Sequence, residues 1–206
     1  VGAAIGVACW LLVRDRPEDL GLPSMAQLEA NEAGITMPAH IEPVTIPFWQ
    51  SLKHVLHNRY TLPLIVSAFG FNGALQSLIS MWGVPYLMQV YGLSRAQAAV
   101  YPVITGIGTI TAGSLSGIIS DRLQCRHGTM LGFGAMPLIA WSILVLWPGN
   151  INLGLLKLVF FMAGLGTGAY LMLMVMAKEV NSPAIAGLAT GTINTGSFLG
   201  VAVVQL

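Results

Sequence analysis

The residues of this chain that could do chemistry are few. His54 and His57 stand three apart in the segment Phe48-Trp-Gln-Ser-Leu-Lys-His-Val-Leu-His57. That spacing could offer two imidazoles to a metal, but no carboxylate or cysteine accompanies them, so solvated histidines are the simpler expectation. Cys9 lies in an apolar run and Cys125 in a short basic loop, which makes neither a metal site nor a disulfide framework. Asp121, Arg122 and Arg126 form a charged cluster after an apolar run. The sequence has no H-E-x-x-H, no G-x-S-x-G and no paired aspartates inside an apolar run. No catalytic residue, cofactor or metal site is therefore expected.

A larger set of polar residues sits inside the apolar runs themselves. Asn72, Gln76 and Ser80 follow one another at intervals of four, as do Thr105 and Thr109; Thr167 with Tyr170 and Thr190 with Asn194 share faces in the same way. An amide in hydrocarbon is costly unless partnered, so these faces meet other helices or water. For Thr and Ser, bonding within the bundle is the expectation. For Asn72, Gln76 and Asn194, interhelical bonding and a substrate cavity are both open readings.

The elements that carry these residues follow from composition. Of 206 residues 55% are hydrophobic and 8% charged, with 24 glycines and a net charge of +1. Soluble domains carry about 25% charged residues. Thr61 to Leu93 is free of charge for 33 residues and Ala96 to Ser120 for 25, where a spanning helix needs roughly 20. A nucleic-acid binder, a secreted disulfide scaffold and an ordinary soluble enzyme are excluded. Six apolar runs emerge, at Val1–Val13, Thr61–Val90, Ala96–Ser120, Gly128–Trp147, Leu153–Ala177 and Pro183–Leu206. Backbone groups in lipid must be satisfied internally, so the runs are helical. The expected fold is an all-α polytopic membrane protein of about six transmembrane segments. Its first and last segments read as truncated, as in a piece of a larger protein.

Basic residues orient the bundle. Arg14, Arg16, Lys53 and Arg59 in segment 14–60, Arg122 and Arg126 in loop 121–127, and Lys178 make seven of the nine Lys and Arg. All three regions fall on one side if every run spans, and the positive-inside rule makes that side cytoplasmic. The opposite side has Arg95, with Lys157 about eight residues from the middle of its run, roughly 12 Å, near enough for its stem to reach the interface. No Asp, Glu, Lys or Arg lies near the centre of a run, so a proton relay built from these helices alone would lack its carboxylate. Segment 14–60 begins as a Pro- and Glu-rich flexible cytoplasmic linker. At 47–59, Phe48, Trp49, Leu52, Val55 and Leu56 recur at helical spacing, which suits an amphipathic helix lying in the membrane interface.

Small residues four apart, at Gly113/Gly117, Gly164/Gly168, Gly187/Gly191 and Gly196/Gly200, read as close helix–helix contacts. In Trp82-Gly-Val-Pro-Tyr86 the proline predicts a kink, either fixed or serving as a gate.

The segment Gly117-Ile-Ile-Ser-Asp121-Arg122-Leu-Gln-Cys125-Arg126 resembles the G-x-x-x-D-R-x-x-R-R loop signature of the major facilitator superfamily of secondary transporters, departing from it at Cys125. Arg14-Asp-Arg-Pro-Glu-Asp-Leu-Gly21 is similar to the entry into that family's central loop, and Ala189-Thr-Gly-Thr-Ile-Asn194-Thr-Gly196-Ser-Phe-Leu-Gly200 to its helix eleven. The resemblance implies a half bundle from the end of helix six to part of helix eleven. It implies a small solute moved by alternating access, with ion-coupled symport or antiport, in a bacterial inner membrane. The lipid bilayer, the solute and the N-terminal half of the same chain are the implied partners; nucleic acid is not. Helices seven and ten would line the cavity, which assigns Asn72, Gln76, Thr167 and Tyr170 to it, with Asn194 on helix eleven as a further candidate. Gly83 and Pro85 would let helix seven bend over the site. Gly117, Asp121, Arg122 and Arg126 would latch the halves on the cytoplasmic side, a plain loop-ordering salt bridge being the alternative. Asp121 sits where the helix dipole disfavours an anion, so a specific partner is expected: Arg122, Arg126 or a neighbouring helix N-terminus. Several anion carriers of this superfamily place an arginine in helix seven; none stands here, so this half gives anion transport no support. A structural or sensory membrane subunit is the competing class, and an intramembrane enzyme the remote one.

Overall fold

The computed structural model describes residues 47–206. The expected partial helix Val1–Val13, Cys9 and the linker up to residue 46 lie outside the described residues. The remainder is helical, with no strand among the described residues. A short helix, α1 (Phe48–His57), precedes five helices long and apolar enough to cross a membrane. These are α2 (Thr61–Tyr91), α3 (Arg95–Leu123), α4 (Arg126–Leu146), α5 (Leu153–Glu179) and α6 (Pro183–Gln205). They agree with the apolar runs to within a few residues, since caps rather than charges set the ends. Ser94 and Gln97 form a reciprocal capping box at the start of α3. The Asn152 side chain accepts the Leu155 N–H at 2.8 Å to start α5. The Cys125 thiol takes the same role at α4, accepting the Gly128 N–H at 3.3 Å.

α2 is not one regular helix. It is α-helical over Thr61–Ser77, widens into a π segment over Leu78–Trp82, and resumes over Gly83–Tyr91. The Gly83 N–H bonds the Leu78 carbonyl five residues back, and a β-carbon on Gly83 would land on that oxygen. The irregularity lies one turn before the kink expected at Trp82–Tyr86. The ring of Pro85 needs room at the Met81 carbonyl, which falls inside the widened turn. α5 is also interrupted, at Gly166, between Leu153–Leu165 and Thr167–Glu179. A β-carbon on Gly166 would stand 2.6 Å from the ring of Pro137, the proline inside α4.

Two helix pairs form the bundle, and both run parallel. α2 lies along α6, where Gly73 and Gly200 meet backbone to backbone. α3 lies along α5, where Gly108 and Gly164 do the same. Gly73 and Gly164 are 91 positions apart, and Gly108 and Gly200 are 92. The two crossings thus repeat with spacings that differ by one residue; with α2 and α3 as the first two helices of one repeat and α5 and α6 of the next, each joins the first helix of one to the second of the other. α4 packs antiparallel on α5, with the Phe133 ring over Gly168. α5 is the central element: half of its most apolar window is buried, against 28–33% in the other four. Tyr101, Leu156, Val159, Phe160 and Leu87 make the core at one end, and Leu64, Ala68, Leu173, Met176 and Ile193 at the other.

The glycine stripes divide. Gly164, Gly168, Gly196 and Gly200 sit against neighbouring atoms, as close contacts require. Gly113 meets only the far end of Leu171 at 4.0 Å, and Gly117, Gly187 and Gly191 have nothing within 4 Å among the described residues. Spacing alone selects a face; which face meets a neighbour depends on helix rotation.

Candidate functional site

Polar side chains gather at one end of the bundle and along its middle. At the end, three loops come together: the start of α2, the α3–α4 loop and the α5–α6 loop. Asn58 donates to the Val180 carbonyl at 2.8 Å and to Asn181 Oδ1 at 3.1 Å. Asn181 donates in turn to Thr61 Oγ1 at 2.9 Å and to the Ala177 carbonyl at 2.8 Å. Thr61 and Asn181 are buried. A buried polar network is stable only when its members are satisfied, and this one is.

Beside it, Arg126 binds three partners. Its Nη1 lies 2.9 Å from Asp121 Oδ1 and donates to Ser120 Oγ at 2.9 Å, while its Nε lies 3.0 Å from Glu179 Oε1. The guanidinium fork thus joins the end of α3 to the end of α5. Asp121 is 70% exposed and Glu179 47%, so the pairs order the loop more than they stabilise the fold. Arg126 is the partner that the dipole argument asks for at Asp121. Arg122 is exposed and has no hydrogen-bond or ion-pair partner among the described residues. Gln124, in the left-handed region at φ 50°, donates its side chain to the Asp121 carbonyl at 2.6 Å and closes the α3 terminus.

In the middle of the bundle, the candidates separate. Asn72 donates to Ser197 Oγ across the α2–α6 pair, and Gln205 donates to Ser80 Oγ at 2.8 Å further along. These two are helix–helix bonds. Gln76, between them, is exposed; its backbone carbonyl accepts the Ser80 hydroxyl at 2.6 Å, and its side chain has no partner among the described residues. Thr167 shares a hydroxyl contact of 3.2 Å with Thr109 across the α3–α5 pair. The Tyr170 hydroxyl donates to Asn194 Oδ1 at 2.7 Å, joining α5 to α6. Asn194 is exposed and Tyr170 partly so. This pair keeps the Asn194 amide N–H groups and a lone pair of Tyr170 for a third party.

A groove of about 580 Å³ lies between α2, α4 and α5. Phe71, Leu75, Met130, Leu138, Trp141 and Leu173 are among its lining residues, and none of the polar candidates is. It is an apolar packing surface, not a polar binding site.

Sequence reasoning missed Glu179, Ser120, Asn58, Asn181 and Thr61. A signal existed for Glu179: after residue 47 the chain has only two carboxylates, Asp121 and Glu179. The asparagine network had none, since polar residues at loop edges are ordinary.

Five apolar spanning helices in an all-α bundle define an integral, multi-pass membrane protein. The family model described as the Major Facilitator Superfamily matches residues 1–204, and the chain belongs to that superfamily. It is 27% identical over 93% of its length to the Probable galactarate/D-glucarate transporter GudP of Escherichia coli, covering 45% of that protein. It is 24% identical over 72% of its length to the protein of the same name in Pseudomonas putida, covering 33% of it. It is 26% identical over 93% of its length to the Membrane sensor protein UhpC of Escherichia coli, covering 44% of it. The chain thus spans less than half the length of these relatives. Two of these relatives carry transporter names and the third is named a membrane sensor protein.

Proposed function

We infer that this chain is the C-terminal half of a carrier that moves a small polyhydroxylated organic acid across a bacterial inner membrane by alternating access. The observation that carries the reading is the Tyr170–Asn194 pair, bonded at 2.7 Å and open on one side, in a chain that belongs to this superfamily. With Gln76 it offers uncharged donors and acceptors of the kind that sugar hydroxyls need. This half has no charge near the centre of a span, so the group that pairs with a carboxylate comes from the other half. The relatives named as galactarate/D-glucarate transporters favour this solute class.

The halves rock about the bound solute. Asp121, Arg126 and Glu179 make the latch at the cytoplasmic end, with Gly117 and Arg122 on the same segment, and the π segment before Gly83 and Pro85 is the bending point at the other end. Segment 14–60 lies on the cytoplasmic side, and ion coupling drives the cycle. The repeated α2–α6 and α3–α5 crossings support a three-plus-three construction of the half.

The experiment is uptake of radiolabelled D-glucarate by cells expressing the full-length carrier, with Asn194→Ala and Tyr170→Phe compared at equal membrane abundance. Uptake that both substitutions reduce supports the reading, and undiminished uptake in both overturns the assignment of the pair. The likeness to a membrane sensor protein favours a second reading, signal reception without transport. No uptake of any sugar acid, with solute binding retained, would select it.

A further inference from the structure

Lys157 is the one charged residue inside the apolar run Leu153–Ala177. It stands seven residues before Gly164, about two turns, and so on the same side of α5. That side faces α3, because Gly164 lies against the Thr105 carbonyl and Gly108. The lysine stem therefore leaves from the α3–α5 seam and not from a free face of the helix.

A cavity of about 230 Å³ opens in the seam at this end. Leu93, Val100 and Leu153 give it apolar walls, and Gln97, Tyr101 and Lys157 are its polar lining. The capping box fixes how Gln97 is turned: its Oε1 accepts the Ser94 N–H at 3.0 Å. Both N–H groups of that amide are left without a partner among the described residues. Tyr101 is only 3% exposed, its ring edge to face with Phe160 at 5.2 Å. Its hydroxyl has no hydrogen-bond partner among the described residues.

No described carboxylate answers these donors. Asp121 and Glu179 are both held by Arg126 at the other end of the helix pair. Glu179 is 22 positions from Lys157, roughly 33 Å along α5. An ammonium in an apolar seam is costly without a counter-charge. Reaching out to the interface would hydrate the ammonium alone, and the buried Tyr101 hydroxyl would still lack a partner.

We propose that this cavity binds a carboxylate, with Lys157 as counter-charge and Tyr101 and Gln97 as hydrogen-bond donors. The lining offers an ammonium, an O–H and N–H groups, and its one amide oxygen is already taken. A single cation matches a singly charged oxyanion, where a phosphate would keep an unmatched charge. The carboxylate has two possible sources. One is an Asp or Glu of the part of the carrier outside this chain, closing over the seam. The other is one end of a sugar-acid solute, a source that rests on the solute class proposed above. The cavity is 13 positions from Tyr170, roughly 20 Å along α5, and is separate from the Tyr170–Asn194 pair.

The test is zero-length coupling. A water-soluble carbodiimide joins carboxylates to amines in contact with them, as amides without a spacer. Detergent-purified full-length carrier is treated with and without D-glucarate, and peptide mass spectrometry reads what Lys157 carries. A cross-link from Lys157 to an Asp or Glu of the same carrier, in both samples, identifies the internal source. A glucarate amide at Lys157, in roughly tenfold the yield found at Lys53 and Lys178, identifies the solute. Tyr101→Phe keeps the ring on Phe160 and removes only the hydroxyl. It lowers the Lys157 product roughly tenfold, the worth of one charge-assisted hydrogen bond. Lys157 with neither product overturns the site, as does a glucarate amide no more abundant there than at Lys53 and Lys178. An unchanged yield in Tyr101→Phe overturns the part given to the hydroxyl. Uptake of radiolabelled D-glucarate by the same protein separates the two readings. Uptake with no product at Lys157 loses the site and keeps the transport reading, and a cross-link in a protein without uptake does the reverse.

Discussion

Replacing Gly164 by alanine tests the packing of the bundle most sharply. The new methyl would land on the Thr105 carbonyl oxygen, 2.9 Å from its carbon and 3.1 Å from Gly108 Cα. All of these atoms are backbone, so no side chain can swing aside. Comfortable carbon–oxygen contact begins near ~3.3 Å, and α3 must part from α5 by about 1 Å to reach it. Such a shift carries the Thr109 and Thr167 hydroxyls, now 3.2 Å apart, out of hydrogen-bond range. Overpacking costs about 1–3 kcal/mol, and the lost hydrogen bond adds about 1 kcal/mol. The better helix propensity of alanine returns about 0.5–1 kcal/mol. The net loss is about 1–3 kcal/mol. Gly191→Ala is the same chemical change in a helix of the same bundle, without a neighbour to strike. It keeps only the propensity gain. Thermal unfolding of the detergent-purified full-length carrier, followed by size-exclusion, should separate the two by about 2–4 °C, since the relatives are more than twice this chain's length and a chain of that size moves by only about 1 °C per kcal/mol. Equal midpoints would refute the assignment of Gly164 to a backbone crossing.

Other outcomes follow from single sites. Asn181→Ala takes the Thr61 hydroxyl's partner and one of the two acceptors of the Asn58 amide, and should cost about 1–3 kcal/mol, read in the same unfolding assay; Asn181→Asp, which cannot donate to Thr61 Oγ1 or the Ala177 carbonyl and buries a charge, should lose at least as much. Glu179→Gln and Asp121→Ala should leave the unfolding midpoint nearly unchanged, because these pairs are largely exposed. They should nevertheless lower uptake severalfold, and unchanged uptake in both would leave the cluster a loop-ordering device. Gly83→Ala places a methyl on the Leu78 carbonyl oxygen, closing the space the π segment needs; uptake should fall more than membrane abundance, and uptake equal to that of the unmodified protein would count against a bending role.

Helix existence was legible in the sequence because hydrocarbon permits so few alternatives. A charge-free run such as Thr61–Leu93 has nowhere else to go. Rotation about each helix axis was not legible. Gly196 and Gly200 meet α2 whereas Gly187 and Gly191, on the same helix and at the same spacing, meet nothing described. Uniformly apolar helices give no periodic signal to tell one face from another. The same limit applies to the polar candidates. Asn72 and Gln76 are four residues apart on α2, yet the Asn72 side chain is bonded to Ser197 and that of Gln76 has no partner among the described residues. The charged cluster was easier, because only Arg122, Arg126 and Lys178 compete for the two carboxylates, Asp121 and Glu179, near the α3–α4 loop and the end of α5. Cap residues such as Asn152, and the i→i−5 bond at Gly83, depend on local geometry that composition does not encode.

The central claim is that Gln76, Tyr170 and Asn194 face a solute path. Its most direct measurement is initial uptake of D-glucarate into proteoliposomes holding the full-length carrier, comparing Gln76→Ala, Tyr170→Phe and Asn194→Ala with Asn72→Ala. The account predicts that the first three lower the uptake rate severalfold, with the midpoint unchanged in Gln76→Ala and little moved where the exposed Tyr170–Asn194 bond is lost, while Asn72→Ala, which breaks a bond to the buried Ser197 hydroxyl, lowers the midpoint more. Full uptake in the first three variants would contradict it.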